Sequence, residues 1–217
     1  GLSLILGGAE ATLWDVPFMY SDMARSLQNM PRTRGSLMPN VYEKKSPAGK
    51  ETSGSKPEIL PPVFSPGAVW QVFDAIKEVN RPEEIDWRFI PSMQRIAWKT
   101  GTSYGFRDAW AVGVTSRYVV GVWVGNANGE GKPELVGGRT AGPVMFDIFN
   151  MLPSSPWFRR PEGEYVEALV CRVSGHLKSR FCDEADTLLI VPNGLRTTAC
   201  PYHTPVNLSA DGRYRVY

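Results

Sequence analysis

Three strand-like runs follow one another in the middle of the chain and are separated by only a few residues. They cover residues 96–102, 108–115 and 118–124, and the last two are rich in Val and Trp. Parallel neighbours need a crossover of a dozen or more residues, and neither connection is that long. The sequence therefore predicts three consecutive antiparallel strands in one sheet.

The tryptophans of these runs are Trp98, Trp110 and Trp123. A sheet face that is covered by helices needs large apolar side chains. We therefore expect all three rings to pack in the core of the sheet and not to form a platform for a ligand.

The first run ends in Lys99-Thr100-Gly101-Thr102, which places a cation and two hydroxyl groups around a glycine. Because Gly101 has no Cβ, the backbone of a ligand can approach the strand closely there. The alternative is an ordinary hairpin with a solvated lysine and a turn glycine. The two strands that follow in register favour a strand edge that receives an acyl-peptide carboxylate.

This order of motifs resembles the class A penicillin-binding proteins, most closely those of the 1C type. The resemblance is carried by Lys99-Thr100-Gly101-Thr102, by Asp108-Ala109-Trp110 and by the run from Gly121 to Gly125. It implies an α/β (α+β) fold, with an antiparallel sheet covered by helices as in transpeptidase domains and serine β-lactamases. In that family such a strand binds an extended peptide or a β-lactam by strand addition.

The resemblance also implies a role for each motif residue. Lys99 would supply positive potential, the hydroxyls of Thr100 and Thr102 would bind the substrate carboxylate, and Gly101 would admit the ligand backbone. The backbone N–H of Thr102 would form half of an oxyanion hole. Lys99 and Thr102 are thus the expected catalytic residues, and the stretch from Lys99 to Thr102 is the expected substrate site.

The nucleophile of the family is not recognisable in this sequence. Ser53-Gly54-Ser55-Lys56 matches the Ser-x-x-Lys motif by letter. The chemistry requires that serine at the start of a helix, so that the lysine one turn later lies beside it and accepts its proton. A Gly/Ser-rich segment followed by Pro57 cannot form such a helix. We therefore expect no nucleophile in this chain and place the catalytic serine upstream of it.

By this likeness the parent protein cross-links peptidoglycan stem peptides through a serine acyl-enzyme and binds penicillin, with no cofactor. The parent is expected to carry a glycosyltransferase domain and a membrane anchor outside this chain, to act at the periplasmic face of the bacterial inner membrane, and to meet other cell-wall synthesis proteins. This fragment alone is expected to be inactive. The alternatives are a β-lactamase-like hydrolase and a non-catalytic peptidoglycan-binding or interaction module.

Composition sets limits that agree with this assignment. The 217 residues suffice for one domain with an appendage, and 42% of them are hydrophobic. Because 24 basic and 22 acidic side chains nearly balance, nothing predicts binding to nucleic acid. No apolar run approaches the roughly 18 residues that a membrane span requires.

Helix signals flank the predicted strands. Thr12 and Asp15 have the spacing of a capping box, although Pro17 suggests a helix start nearer Asp15. Ser65-Pro66 predicts the start of a second helix. The lead-in from Gly138 to Pro143 predicts a third helix, which resembles the last helix of the transpeptidase domain.

We expect a domain boundary near the proline-rich segment after residue 153, with a transpeptidase part at 1–157 and the start of a β-rich extension at 158–217. All three cysteines, Cys171, Cys182 and Cys200, lie in this extension. Their spacing to one another and to His203 fits no standard zinc finger. We therefore expect no metal, and a disulfide between Cys182 and Cys200, formed in an oxidising compartment, that leaves one thiol over. The alternatives are zinc bound by Cys171, Cys182, Cys200 and His203, and structural thiols with neither a bond nor a metal.

Overall fold

The computed structural model describes residues 10–30, 32–33, 59–60, 62–81 and 94–216. It divides the chain into two compact units, residues 1–161 and residues 162–217. The rejected motif Ser53-Gly54-Ser55-Lys56 lies outside the described residues.

The first unit contains helices and short antiparallel sheets. Its described helices are α1 (Asp15–Leu27), α2 (Pro66–Lys77) and α3 (Ala141–Met151). Its described strands are β1 (Arg32–Thr33), β2 (Ile59–Leu60), β3 (Ala97–Thr102), β4 (Asp108–Val114) and β5 (Val119–Gly125). Within the described ranges, no helix is both long and apolar enough to pass through a lipid bilayer.

The strands β3, β4 and β5 form one antiparallel sheet in chain order, which confirms the prediction from their short connections. Lys99 lies opposite Val112, and Gly101 lies opposite Trp110. Trp110 in turn lies opposite Trp123. The register therefore aligns the end of the predicted motif with an aromatic pair on the neighbouring strands.

The sheet is covered by helices on both faces. Because side chains alternate along a strand, Trp98 points to one face and Ala97 to the other. On the Trp98 face, α3 contributes Met145, Phe146 and Phe149 to the core. On the Ala97 face, α1 and α2 contribute a second core cluster, which includes Ala24, Val69 and Phe73. The α+β class with a helix-covered antiparallel sheet is confirmed.

Local capping explains where the first two helices begin. The hydroxyl of Thr12 accepts a hydrogen bond from the Asp15 N–H (3.1 Å), and the Asp15 carboxylate accepts one from the Thr12 N–H (3.2 Å). This reciprocal pair is the predicted capping box. At α2, the Ser65 hydroxyl accepts from the Ala68 N–H (3.2 Å), with Pro66 as the first helical residue.

The expectation for the three tryptophans is correct only for Trp98, which is buried and contacts Phe146 edge to face. Trp110 is half-buried, and Trp123 is 37% exposed. Both lie on the Ala97 face of the sheet. The described core cluster on this face reaches the strand positions of Ala97, Val114 and Val119 and does not extend to Trp110 and Trp123. Trp123 instead donates from its indole nitrogen to Asp108 (2.9 Å).

The second unit is a small β structure. Strands β6 (Val166–Cys171) and β7 (Ala185–Ile190) pair antiparallel, and a 3₁₀ turn follows at Pro192–Arg196. Arg172, just beyond β6, forms ion pairs with Glu184 (2.8 Å) and Asp186 (2.7 Å) at the start of β7. On the other side of β6, Val170 forms a bridge with Leu177. Backbone pairing and surface ion pairs thus organise this unit.

Close packing of α3 on the sheet predicts the effect of one small substitution. A Cβ at Gly113 would lie 2.5 Å from Phe149 Cε2 and 2.9 Å from Met145 Sδ. We expect Gly113→Ala to lower the free energy of unfolding by about 1–3 kcal/mol, as overpacking of a core does. Urea denaturation followed by tryptophan fluorescence measures this change.

The control is Gly138→Ala, because a Cβ at Gly138 meets no atom of the described residues within 4 Å. Its effect should stay within about 0.5 kcal/mol. Equal stability of the Gly113→Ala variant and the unmodified chain would contradict the packing described for α3.

Candidate substrate-binding strand edge

The outer edge of β3 carries the residues that sequence analysis selected. In the part of the chain that the structure describes, β4 is the only strand paired with β3, so the other edge of β3 has no strand partner. An unpaired edge presents a row of backbone N–H and C=O groups. Such a row can accept an extended peptide as an additional strand.

The pairing with β4 determines which backbone groups point to this edge. The Ser103 N–H donates to the Asp108 carbonyl (2.9 Å), so the backbone of Ser103 faces β4. Successive residues of a strand direct their N–H groups to opposite sides. The N–H groups of Thr100 and Thr102 therefore point away from β4, toward the unpaired edge. The Thr102 N–H, the oxyanion donor expected from the sequence, is thus one of the two groups that point to this edge.

Lys99 and the two threonines leave the strand on opposite faces, because their side chains alternate. Lys99 shares the Ala97 face, and its side chain is exposed. Its ammonium group bends back and donates to the carbonyl oxygen of Thr100 (2.5 Å). Since that carbonyl points to the unpaired edge, the positive charge of Lys99 lies at the same edge as the outward N–H groups.

The Thr102 hydroxyl is held in place by a neighbouring loop. Its oxygen accepts a hydrogen bond from the Gly137 N–H (3.0 Å). A hydroxyl has one proton to donate besides its acceptor lone pairs. The Thr102 hydroxyl can therefore remain bonded to Gly137 and still donate its proton to a carboxylate. Thr100 lies on the same face and is half-buried.

The loop formed by residues 126–138, here called the 126–138 loop, lies against β3 and the turn that follows it. Two glycines of the loop make the close contacts. A Cβ at Gly137 would overlap the carbonyl oxygens of Gly101 and Trp110, and a Cβ at Gly131 would overlap the carbonyl oxygen of Gly105. The Lys132 N–H also donates to the Phe106 carbonyl (3.0 Å). The absence of side chains at both glycines allows this contact.

Gly101 differs from these loop glycines, because the fold does not require it. Among the described residues, a Cβ at Gly101 would meet only Trp110 Cβ, at an ordinary 3.5 Å, and the φ of Gly101 is not in the left-handed region. A glycine costs conformational entropy in a strand. The space beside Gly101 is therefore available to something other than the described part of the chain.

The turn after β3 adds residues that sequence analysis did not select. Gly105 and Phe106 both have positive φ angles, 75° and 54°, and Tyr104 is fully exposed. A non-glycine residue in this region stores strain, which often accompanies a functional site. The sequence signal for this turn was Tyr104-Gly105-Phe106, two aromatic residues around a glycine in a short connection.

No described serine occupies the place of a nucleophile at this edge. The nearest in sequence, Ser103, uses its hydroxyl to accept from the Asp108 N–H (2.8 Å), which fixes the turn. Ser53 belongs to a stretch that the structure does not describe.

A separate group of side chains occurs in the second unit. The Sγ atoms of Cys171, Cys182 and Cys200 and a ring nitrogen of His203 all lie within 4.8 Å of one another. The three cysteines are buried free thiols, so the expected Cys182–Cys200 bond is not formed in this structure.

Hydrogen bonds favour the thiolate form of one of these cysteines. The hydroxyl of Ser174 donates to the sulfur of Cys200 at 3.1 Å. This bond and the backbone N–H groups of His203 and Tyr202 lower the pKa of Cys200 to about 5. A group of three thiols and an imidazole is a possible ligand set for a soft or borderline metal ion.

Comparison with known proteins identifies relatives by sequence. Penicillin-binding protein 1C of Escherichia coli (strain K12) is 35% identical over 154 residues, which is 70% of this chain and 17% of that protein. Penicillin-binding protein 1A of Clostridium novyi (strain NT) is 31% identical over 121 residues, covering 53% of this chain and 13% of that protein. No protein-family model matches the chain.

Among solved structures, penicillin-binding protein 1A from Haemophilus influenzae aligns with 64% of this chain and 22% of that chain, at 20% identity and a TM-score of 0.47. This chain thus spans less than a fifth of the length of the curated relatives. On the sequence similarities and the motifs of β3 to β5, the chain belongs to the class A penicillin-binding proteins.

Proposed function

We propose that this chain is part of a peptidoglycan D,D-transpeptidase and that the outer edge of β3 binds the stem peptide. The observation that carries the proposal is the edge itself. It combines outward N–H groups at Thr100 and Thr102, the ammonium group of Lys99, and space beside Gly101 that no described residue occupies. β-Lactams are proposed to bind at the same edge, as they do in the family.

The proposed substrate is an acyl-D-Ala-D-Ala peptide in extended form, which adds to the edge of β3 as a further strand. Its terminal carboxylate accepts hydrogen bonds from the hydroxyls of Thr100 and Thr102. Lys99 lies on the opposite face of β3 and contributes charge at the edge. Because Gly101 has no Cβ, the peptide backbone can lie directly against the strand.

The catalytic contribution proposed for this chain is electrostatic. When a nucleophile adds to the scissile carbonyl, negative charge develops on the carbonyl oxygen. The outward N–H of Thr102 would donate to that oxygen without any rearrangement of the backbone. Loss of one such donor typically costs about 10²- to 10³-fold in rate.

The nucleophile is proposed to be a serine outside this chain. Its Oγ attacks the carbonyl of the penultimate D-Ala, the bond to the terminal D-Ala breaks, and that D-Ala leaves with a proton. An amine of a neighbouring stem peptide then attacks the carbonyl carbon of the acyl-serine. The new amide bond forms, the ester bond to Oγ breaks, and the serine hydroxyl is restored with a proton from the amine. A glycosyltransferase domain and a membrane anchor, with action on the periplasmic side, are proposed for the remainder of the protein.

Labelling with a fluorescent penicillin tests this assignment. The chain of residues 1–217 should form no covalent adduct, whereas the longer protein that contains the serine should be labelled. In the longer protein, Lys99→Ala should slow acylation roughly 100-fold, because a preorganised positive charge is lost. In-gel fluorescence against time gives the acylation rate.

Ser53→Ala in the longer protein is the matched control and should leave the acylation rate unchanged. Mass spectrometry decides the alternatives. An adduct on the isolated chain, above all at Ser53, would refute the assignment of the nucleophile. A longer protein that is never labelled would support a binding module, and an adduct that is rapidly hydrolysed would support a β-lactamase-like hydrolase.

A second test compares Gly101, on β3, with Gly137, in the 126–138 loop. Gly101→Ala should change the free energy of unfolding by less than about 0.5 kcal/mol, because its Cβ contact is ordinary. It should nevertheless slow acylation of the longer protein by about 100-fold, the effect of displacing a reacting group by about 1 Å. Denaturant unfolding and penicillin labelling are measured on the same preparation.

Gly137→Ala is the contrasting variant, because its Cβ would overlap backbone carbonyls. It should lower stability by about 1–3 kcal/mol. A Gly101→Ala variant that is acylated at the normal rate would show that no ligand approaches β3 there.

A further inference from the structure

We propose that Cys171, Cys182, Cys200 and His203 form a structural zinc site in the second unit. The proposal is independent of the function proposed for β3. It rests on the positions of the four side chains, on the hydrogen bonds to sulfur atoms of the group, and on the buried cluster that the three cysteines form.

The distances between the ligand atoms fit a single tetrahedral ion. With Zn–S bonds of about 2.3 Å and a Zn–N bond of about 2.0–2.1 Å, tetrahedral geometry separates sulfur from nitrogen by about 3.6 Å and two sulfurs by about 3.8 Å. His203 Nδ1 lies 3.4 Å from Cys171 Sγ and 3.3 Å from Cys200 Sγ. All four ligand atoms lie within 4.8 Å of one another.

Three separate segments bring these ligands together. Cys171 ends β6, Cys182 closes a turn in which its N–H donates to the Ser179 carbonyl (3.2 Å), and Cys200 begins the Cys200-Pro201-Tyr202-His203 segment. The Cys200 N–H also donates to the Leu177 carbonyl (2.7 Å). Convergence of ligands from distant positions is typical of an ion that connects loops.

Two of the three sulfurs also accept hydrogen bonds from groups outside the proposed ligand set, as metal thiolates do when outer groups orient them. The Ser174 hydroxyl donates to Cys200 Sγ (3.1 Å), and the Ser179 N–H donates to Cys182 Sγ (3.3 Å). Such donors partly neutralise the negative charge of the thiolates. Cys171 Sγ has a polar contact with His203 Nδ1, at 3.4 Å.

Few apolar side chains are buried among the described residues of the second unit. Among residues 162–216, the buried apolar side chains are Ala168, Val170 and the three cysteines, and the core cluster consists of the cysteines alone. Zinc would use all four converging side chains, whereas a disulfide would use two.

The ligand set also specifies the kind of site. Three thiolates and one imidazole fill the four tetrahedral positions of Zn²⁺ and leave none for water or substrate, which is the arrangement of structural zinc. Binding releases the thiol protons to solvent. The spacing in the sequence led us to expect a disulfide; the three-dimensional positions favour zinc instead.

Metal analysis of the whole chain tests the proposal. Protein that is expressed with zinc and purified without chelator should contain about one equivalent of zinc per chain. In the absence of reductant, thiols should be protected until a strong chelator is added, after which three thiols per chain should react. Replacement of zinc by Co²⁺ should give the visible absorption and thiolate charge-transfer bands of a tetrahedral thiolate site.

The two histidines provide a matched pair of variants. His203→Gln should lower the affinity for zinc at least about tenfold, as measured by competition with a chelator, because a metal-site interaction is removed. His176→Gln should retain the full equivalent, because His176 does not belong to the group of four ligands. Comparing zinc content with circular dichroism shows whether each variant is folded.

Three results would overturn the proposal. The first is a thiol titration that finds one reactive thiol per chain before reduction and three after it, because this shows a disulfide. The second is three thiols that react without chelator in protein that contains no zinc. The third is stoichiometric iron with inorganic sulfide, which would identify a cluster. The first two measurements use the unmodified chain and do not depend on whether a variant folds.

Discussion

The antiparallel pairing of β3 with β4 determines the chemistry available at the proposed site. Because the Ser103 backbone faces β4, the N–H groups of Thr100 and Thr102 face the opposite edge. A shift of the register by one residue would reverse these directions and exchange the faces of Lys99 and the threonines. The helices on both faces hold this register, since each face of the sheet has its own buried cluster.

The two units are stabilised by different physical means. In the first, helix packing buries large side chains such as Phe73 and Phe149. In the second, backbone pairing is joined to a buried group of three cysteines, with exposed apolar residues such as Leu169 and Leu188 on the strands. Large apolar side chains thus hold the helices on the sheet of the first unit, while the buried cluster of the second unit consists of the three cysteines. An ion that connects distant loops is consistent with this difference.

Much of the first unit could be predicted from local sequence rules. Short connections predicted antiparallel neighbours, and Thr12 with Asp15 predicted a helix cap, because both rules involve residues close in sequence. The exposure of Trp123 could not be predicted, because it depends on how far the helices extend over the sheet. The approach of Cys171, Cys182, Cys200 and His203 depends on the path of three loops, which spacing alone does not determine. The contact of Gly137 with Thr102 is likewise a long-range feature.

The central claim is that the outer edge of β3 receives the acyl group of the substrate. A crystal structure of the longer protein after acylation by a penicillin tests it most directly. We expect the carbonyl oxygen of the bound drug about 2.7–3.1 Å from the Thr102 backbone nitrogen, with the drug carboxylate against the hydroxyls of Thr100 and Thr102. A bound drug that makes no contact with β3, or an edge occupied by another strand of the same protein, would contradict the account.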